Sequence, residues 1–117
     1  MNLPTTEVHD TYITVTQSTD FSMTQMFSLI EFAKAEATRT GTKDILIDTR
    51  GMRGSMTESD RFMGGRRMAE VFGPMLRVAI LMPPAQITKF GETVAVNRGA
   101  RVFVTDDEQQ ALKWLLV

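Results

Sequence analysis

Arginine is the residue type whose spacing stands out most in this chain. Five arginines fall within eighteen residues, at Arg50, Arg53, Arg61, Arg66 and Arg67. The acidic residues of the same span are Glu58 and Asp60, so five positive charges less two negative ones leave a local excess of +3. A guanidinium group binds phosphate or carboxylate through two hydrogen bonds. The cluster therefore predicts a surface for an anionic head group or an acidic partner. The alternative is a solvated helix face with i, i+4 ion pairs.

A carboxylate, Asp48, lies just before this cluster, at the end of the apolar run from Ile45 to Ile47. Such a run is typical of a strand that is buried on both faces. Because open α/β sheets bind ligands beyond the carboxyl ends of their strands, Asp48 is a candidate for ligand contact. In the structural alternative, its side chain accepts hydrogen bonds from N–H groups of the next loop.

Three hydroxyl side chains follow, at Ser55, Thr57 and Ser59. Thr57 and Asp60 have the spacing of a capping box, which predicts that a helix begins there. A helix start favours phosphate, so phosphorylation of one of these hydroxyls would create a switch beside the arginines, whereas the cap explains Thr57 without phosphate. The predicted ligand or partner surface comprises Asp48, Arg50, Arg53, Ser55, Thr57, Ser59, Arg66 and Arg67.

The motifs argue against an enzyme. The chain contains no cysteine, which excludes disulfides, thiolate catalysis and cysteine-ligated metals. The single histidine, His9, has no nucleophile motif near it and is expected at the surface. Phosphate-binding glycine patterns are absent, and Asp48, Glu58 and Asp60 lack the spacing of a metal-binding loop. We therefore expect no catalytic residue, metal or cofactor.

Length and charge narrow the class of protein. The 117 residues are typical of one domain, and the formal net charge of -1 argues against nucleic acid as a partner. The N-terminus lacks the basic and apolar regions of a signal peptide. Apolar runs also stay far short of the roughly 20 residues that span a bilayer. These features predict a soluble, cytoplasmic protein.

The elements that position these residues follow an α/β order. Alternating residues at 11–17 predict a half-exposed strand, paired as a hairpin with a strand at 5–9. Helices are predicted from Ser22 to a glycine cap at Gly41, and from Glu58 to Phe72. Gly64 and Gly65, inside the second helix, indicate either a close approach to the sheet or a flexible point.

The second half of the chain continues the pattern. It predicts a buried strand at 77–82, a helix that begins at Pro84 and ends between Asn97 and Gly99, a strand at 101–104 and a last helix capped by Thr105 or Asp106. The predicted fold is a mostly parallel sheet of four to five strands with an antiparallel N-terminal edge and about four helices. The strands at 45–48 and 78–81 are expected to be central and adjacent.

Three motifs occur in order along the chain. A strand ending at Asp48 leads into a loop with Gly51 and Gly54, and a turn of Asn97, Arg98 and Gly99 precedes a short strand. The last helix carries Asp107, Ala111, Trp114 and Leu115. This set resembles the SpoIIAA-like branch of the STAS domains, also described as STAS/SEC14-like, over about residues 11–116.

The resemblance implies a single SpoIIAA-like domain over residues 1–117 and a role without catalysis. It implies protein–protein signalling, as in the classical members, or association with a membrane or a small apolar ligand. Those members carry a phosphorylatable serine in an Asp-Ser-Ser-Gly setting after the Asp-ended strand. The equivalent segment here reads GSMTESD and departs from that setting.

Two functions remain as alternatives. The first is a regulatory module that binds a protein partner. The second is a carrier of a small apolar or anionic ligand or lipid, in a pocket beneath the methionine-rich helices with arginines at its mouth, combined with peripheral membrane contact. The sequence leaves a homodimer open and does not identify the ligand.

Overall fold

The computed structural model describes residues 3–117, which form a five-stranded sheet with helices on both faces. The elements are β1 (Thr5–Val8), β2 (Ile13–Thr16), α1 (Met23–Thr40), β3 (Asp44–Asp48), α2 (Glu58–Phe72), β4 (Arg77–Leu81), α3 (Phe90–Asn97), β5 (Arg101–Thr105) and α4 (Glu108–Leu116). The strands lie side by side in chain order. Only the β1–β2 pair of this sheet is antiparallel. The predicted fold class is confirmed.

The two central strands, β3 and β4, are adjacent and buried on both faces, as the apolar runs predict. Ile45 and Ile47 belong to the core that the sheet shares with α1, α2 and α3. Leu46 and Leu81 belong to a second core under α4. No more than 3% of any of these four residues is exposed. Because neither face meets water, the strands carry apolar residues at successive positions.

The predicted ends of α1 and α2 are confirmed. The Ser22 side chain accepts a hydrogen bond from the N–H of Gln25 at 3.1 Å, and Gly41 ends α1 with a φ of 70°. At the start of α2, the Thr57 hydroxyl accepts from the N–H of Asp60 at 3.0 Å, and the Asp60 carboxylate accepts from the N–H of Thr57 at 2.9 Å. This reciprocal pair is the predicted capping box.

The prediction of one helix beginning at Pro84 is wrong. Pro84–Gln86 form a single 3-10 turn, Lys89 has a φ of 65°, and α3 begins only at Phe90. In a continuous helix the carbonyl of Gln86 would accept the N–H of Phe90. Here it accepts a hydrogen bond from Arg61 Nη2 at 2.9 Å. The left-handed conformation of Lys89 interrupts the helix, and a side chain from α2 bonds the carbonyl that this interruption leaves open.

The predicted caps of α4 are also wrong. The N-cap residue is Asp107, whose Oδ1 accepts from the N–H groups of Gln109 at 2.9 Å and Gln110 at 3.2 Å. The Thr105 hydroxyl lies earlier and accepts from the N–H of Asp107 at 3.2 Å. Neighbouring Thr and Asp residues share the same capping chemistry, so the register depends on where β5 ends.

The two glycines inside α2 mark a close approach to other helices rather than to the sheet. A Cβ atom on Gly65 would lie 2.4 Å from the carbonyl oxygen of Gly91 in α3. A Cβ atom on Gly64 would lie 2.7 Å from the Sδ of Met26 in α1. Because α2 packs on its two neighbouring helices in this way, space remains between its start and the sheet.

Candidate functional site

That space is a cavity of about 130 Å³ at the carboxyl-terminal edge of the sheet. Gln17, Thr49 and Met82 line it, and these residues follow β2, β3 and β4 directly. Helices α1 and α2, the loops that follow β2 and β3, the segment 86–92 and Val104 of β5 form most of the remaining walls. The position corresponds to the edge at which open α/β sheets bind ligands.

The lining is mainly apolar and rich in methionine. Five of the nine methionines contribute: Met26, Met52, Met56, Met68 and Met82. Leu29, Ile30, Ile47, Ile80, Ile87 and Val104 supply aliphatic surface. Methionine side chains are unbranched and flexible, so a wall built from them can adapt to the shape of a guest molecule.

Arg61 brings a positive charge to this wall. Its side chain lies near the start of α2 and is only 11% exposed. Nη1 donates to the carbonyl oxygen of Met56 at 2.6 Å, and Nη2 donates to that of Gln86 at 2.9 Å. The exposed carboxylate of Glu58 is 3.5 Å from Nη1. Two backbone carbonyls therefore hold the guanidinium in place at the cavity.

Three loops are tied together around the cavity, and they follow β2, β3 and β4. The Gln86 side chain donates to the carbonyl oxygen of Gly54 at 2.7 Å. Arg53 and Phe21 are joined by a backbone hydrogen bond of 2.8 Å, and the N–H of Arg53 donates to the carbonyl oxygen of Thr19 at 3.2 Å. The closure of the site thus depends on contacts that are distant in sequence.

A second charged group on the wall joins α3 to β5. Lys89 Nζ and Glu92 Oε2 are 3.0 Å apart, and Glu92 accepts the N–H of Val104 at 2.6 Å. The ammonium group of Lys89 also donates to the Val104 carbonyl oxygen and lies 4.6 Å from the ring centroid of Phe103. These contacts hold Lys89 in its left-handed conformation at the start of α3.

Asp48 accepts a hydrogen bond from a backbone N–H of the next loop, which is the structural alternative given above, and it does not line the cavity. Its Oδ1 accepts from the backbone N–H and the Nε of Arg50, both at 3.0 Å. Burial would raise the pKa of Asp48, but the hydrogen bonds from Arg50 outweigh it and hold the pKa below its ordinary value. Arg50 also donates to Glu108 at 2.9 Å. The pair therefore ties the loop after β3 to the start of α4.

The other arginines of the predicted surface make separate contacts and do not line the cavity. Arg53 pairs with Asp20 at 2.9 Å, and Arg67 pairs with Glu31 of α1 at 2.7 Å. The guanidinium of Arg66 lies 5.8 Å from the ring centroid of Phe62. Exposed ion pairs of this kind each contribute up to about 1 kcal/mol. The clustered arginines of the loop after β3 and of α2 thus make contacts with different elements and do not form one common site.

The three hydroxyl residues of the predicted surface, Ser55, Thr57 and Ser59, are exposed and lie outside the lining. Thr57 is occupied as the cap of α2. The segment they belong to nevertheless adjoins the site, because Met56 lines the cavity between Ser55 and Thr57. A modification of this segment would act beside the cavity wall.

None of the eight residues predicted as the ligand or partner surface lines the cavity, although a pocket beneath the methionine-rich helices is among the expectations. Arg61 counts among the five clustered arginines, but nothing in its spacing separates it from the others. Gln17, Gln25 and Gln86 also line the site, and none of them belongs to a motif typical of a binding site. One signal was present: Met52 and Met56 are apolar residues in an otherwise polar loop, which indicates that the loop turns inward.

Comparison with known proteins gives a family and a fold. Residues 12–116 match the family model described as SpoIIAA-like. No curated protein matches the sequence. The solved structure of an uncharacterized DUF3478-family protein with a SpoIIAA-like fold, from Shewanella loihica PV-4, is similar with a TM-score of 0.56. The two chains are 20% identical, and the match covers 97% of this chain and 93% of that one.

Two further properties concern residues 3–117. No group of three or more acidic or histidine side chains is placed to hold a metal ion within this range. None of the helices described there is long and apolar enough to cross a membrane.

Proposed function

The chain belongs to the SpoIIAA-like family, and on that premise we propose that it is a non-catalytic module that binds a small, mainly apolar ligand in the cavity beneath α2. The observation that carries the proposal is the lining, in which five methionines and six aliphatic residues surround the cavity at the ligand-binding edge of the sheet. Apolar cavities of this kind hold water poorly and accept apolar guests.

The five methionines of the lining come from different elements of the fold, and this distribution supports ligand binding rather than simple packing. Met26 belongs to α1, Met68 to α2 and Met82 to the segment after β4, while Met52 and Met56 belong to the loop after β3. A ligand among them would contact elements from most of the chain. Each thioether side chain has three rotatable bonds, so the walls adjust at low cost.

Methyl NMR of the methionines tests the proposal directly. Hexanamide, a neutral and compact amphiphile, is added to protein that carries ¹³C in its methionine methyl groups. We expect concentration-dependent shifts at the five methionines of the cavity. The exposed Met63 and Met75 serve as internal controls, because they lie outside the lining. No shifts, or shifts led by the two exposed residues, would contradict ligand binding in the cavity.

Recognition of a protein partner in signalling is a second candidate, favoured by the loop that follows β3. Met52 and Met56 of this loop line the cavity, whereas Ser55 and Thr57 are exposed beside them. A ligand that displaces the two methionines would therefore change the surface offered to a partner. Native mass spectrometry after mild purification from the source cells separates the candidates. A retained small mass supports the ligand, and a retained protein supports the partner.

A further inference from the structure

We propose that the cavity selects a monocarboxylate with a short apolar body, and that Arg61 is the counter-ion of the carboxylate. The proposal rests on the proposed function, because it names the chemical class of the ligand for the same cavity. Three observations carry it: the donors that Arg61 keeps available, the pairing of the other charges on the wall, and the size of the cavity.

Arg61 has donors left over. A guanidinium has five N–H donors. The contacts of Arg61 with the described residues use three of them, for the carbonyl oxygens of Met56 and Gln86 and for Glu58. Nε and one hydrogen of Nη2 remain for a ligand. Because the side chain is only 11% exposed, its charge is poorly hydrated, and a carboxylate that reaches it would form charge-assisted hydrogen bonds.

The acidic side chain beside Arg61 attracts its guanidinium only weakly. Glu58 is its acidic neighbour, but that contact is 3.5 Å long and the Glu58 side chain is 69% exposed. At this distance and exposure, solvent screens most of the attraction. The guanidinium is otherwise held by neutral carbonyls, which orient it without cancelling its charge.

The remaining charged residues of the lining are paired with opposite charges. Lys89 and Glu92 pair with each other at 3.0 Å. Asp20 pairs with Arg53 at 2.9 Å. The Asp20–Arg53 pair is exposed, so solvent screens both of its charges. Arg61 is the least exposed charged side chain of the lining and has the longest ion-pair distance, so it is the group whose charge a ligand would balance. This arrangement favours an anion over a neutral molecule and disfavours a cation.

The cavity volume limits the apolar body of the ligand. Its 130 Å³ is close to the roughly 150 Å³ of an engineered apolar cavity that holds benzene. An apolar body of about six carbon atoms therefore fills its inner space, either as a short acyl chain or as an aromatic ring, and a larger ligand would continue into the open mouth. A long acyl chain would have to extend into solvent, where its extra carbons add little affinity.

Calorimetric titration of the full chain at pH 7 with three six-carbon probes tests the charge preference. We expect hexanoate to bind about tenfold or more tightly than hexanamide, and hexylammonium to bind less tightly than hexanamide. Phenylacetate and phenylacetamide repeat the comparison with an aromatic ring in place of the acyl chain. Preference for the carboxylate in either pair supports the proposal, and the pair with the higher affinity identifies the apolar body.

The variant Arg61→Gln links the preference to this side chain. We expect the ratio of hexanoate affinity to hexanamide affinity to fall to about one, whatever the loss of the Met56 and Gln86 contacts does to both affinities together. Arg66→Gln, on an exposed part of the same helix, is the matched control and should keep the advantage. If Arg61→Gln does not fold, the order of the three probes on the parent decides the charge preference by itself.

Defined outcomes would overturn the proposal. Equal binding of hexanoate and hexanamide to the parent, or a preference that survives Arg61→Gln, removes Arg61 as counter-ion. Dodecanoate that binds much more tightly than hexanoate removes the size limit. Shifts of the methionine methyls with hexanamide in any of these cases would leave the proposed function standing. Absence of any response to hexanamide would instead remove the proposed function itself.

Discussion

Gly64→Ala and Gly65→Ala are the same substitution at neighbouring positions of α2, and we expect different outcomes for them. Each replaces a glycine in a helix interior by the best helix former, which by itself stabilises the fold by about 1 kcal/mol. The two positions differ in what the new methyl group meets, so the pair separates helix propensity from packing.

At Gly65 the new methyl group meets backbone. Its Cβ atom would lie 2.4 Å from the carbonyl oxygen of Gly91 and 2.9 Å from the Cβ of Val94. Helices α2 and α3 would have to separate, because neither atom can move by a side-chain rotation. Overpacking costs about 1–3 kcal/mol of unfolding free energy and occasionally more. Because the 2.4 Å contact is with backbone, we expect a cost at the upper end of this range. After the helix-propensity gain, we expect a net loss of about 2 kcal/mol or more.

At Gly64 the methyl group meets the end of a flexible side chain. The Sδ and Cε of Met26 would lie 2.7 Å and 2.9 Å from the new Cβ. A change of rotamer at Met26 relieves both contacts at a cost of about 1 kcal/mol. That cost offsets the propensity gain, so we expect Gly64→Ala to stay within about 1 kcal/mol of the parent.

Urea unfolding and differential scanning calorimetry measure both variants. An unfolding entropy of about 2.1 cal/mol/K per residue means that a loss of 2 kcal/mol lowers the Tm of this chain by about 8 °C. Equal Tm values for the two variants, or a larger loss for Gly64→Ala, would refute the argument. In that case the backbone of α3 would not be what requires glycine at position 65.

Two further predictions concern contacts at the ends of helices. Hydrogen bonds from Arg39 and Thr6 lower the pKa of Glu36 from 4.5 to about 2. Because the folded-state pKa lies below the unfolded one, the Glu36 carboxylate adds to the free energy of unfolding above about pH 4.5, and this addition is lost as the pH falls towards 2. Glu36→Gln should therefore flatten the dependence of the unfolding free energy on pH in that range. Thr57→Ala should lower the unfolding free energy by about 1 kcal/mol in urea titration, and an unchanged value would show that the hydroxyl is free for another role.

The fold was predictable because its main determinants are local. The run before Asp48 reveals a strand that is buried on both faces, and Thr57 and Gly73 bound α2 by capping chemistry that involves residues within one turn. The helix from Pro84 was mispredicted for the opposite reason. Its interruption at Lys89 involves Arg61, a residue of another helix that takes the carbonyl of Gln86. Competition of this kind leaves no periodic trace in the sequence.

The candidate site was less predictable because its parts are scattered along the chain. Met26 and Met82 are separated by almost half of the chain, and they meet only because crossovers between parallel strands bring their elements to one edge of the sheet. Arg61 differs from Arg66 and Arg67 in burial, which spacing alone does not reveal. The density of positive charge in the sequence favours the exposed arginines as site residues. In the structure, Arg61 lines the cavity, and it is the least exposed of the five clustered arginines.

The order of the strands has a consequence for how the chain folds during translation. Since the strands lie side by side in chain order, each one can add to the edge of the sheet as it leaves the ribosome. The face that carries Leu46, Ala79 and Leu81 packs against α4, which is made after all five strands. Until Ala111 and Leu115 emerge, that face stays open to water and to chaperones. A ribosome that stalls before α4 would therefore display a nearly complete sheet with one bare hydrophobic side.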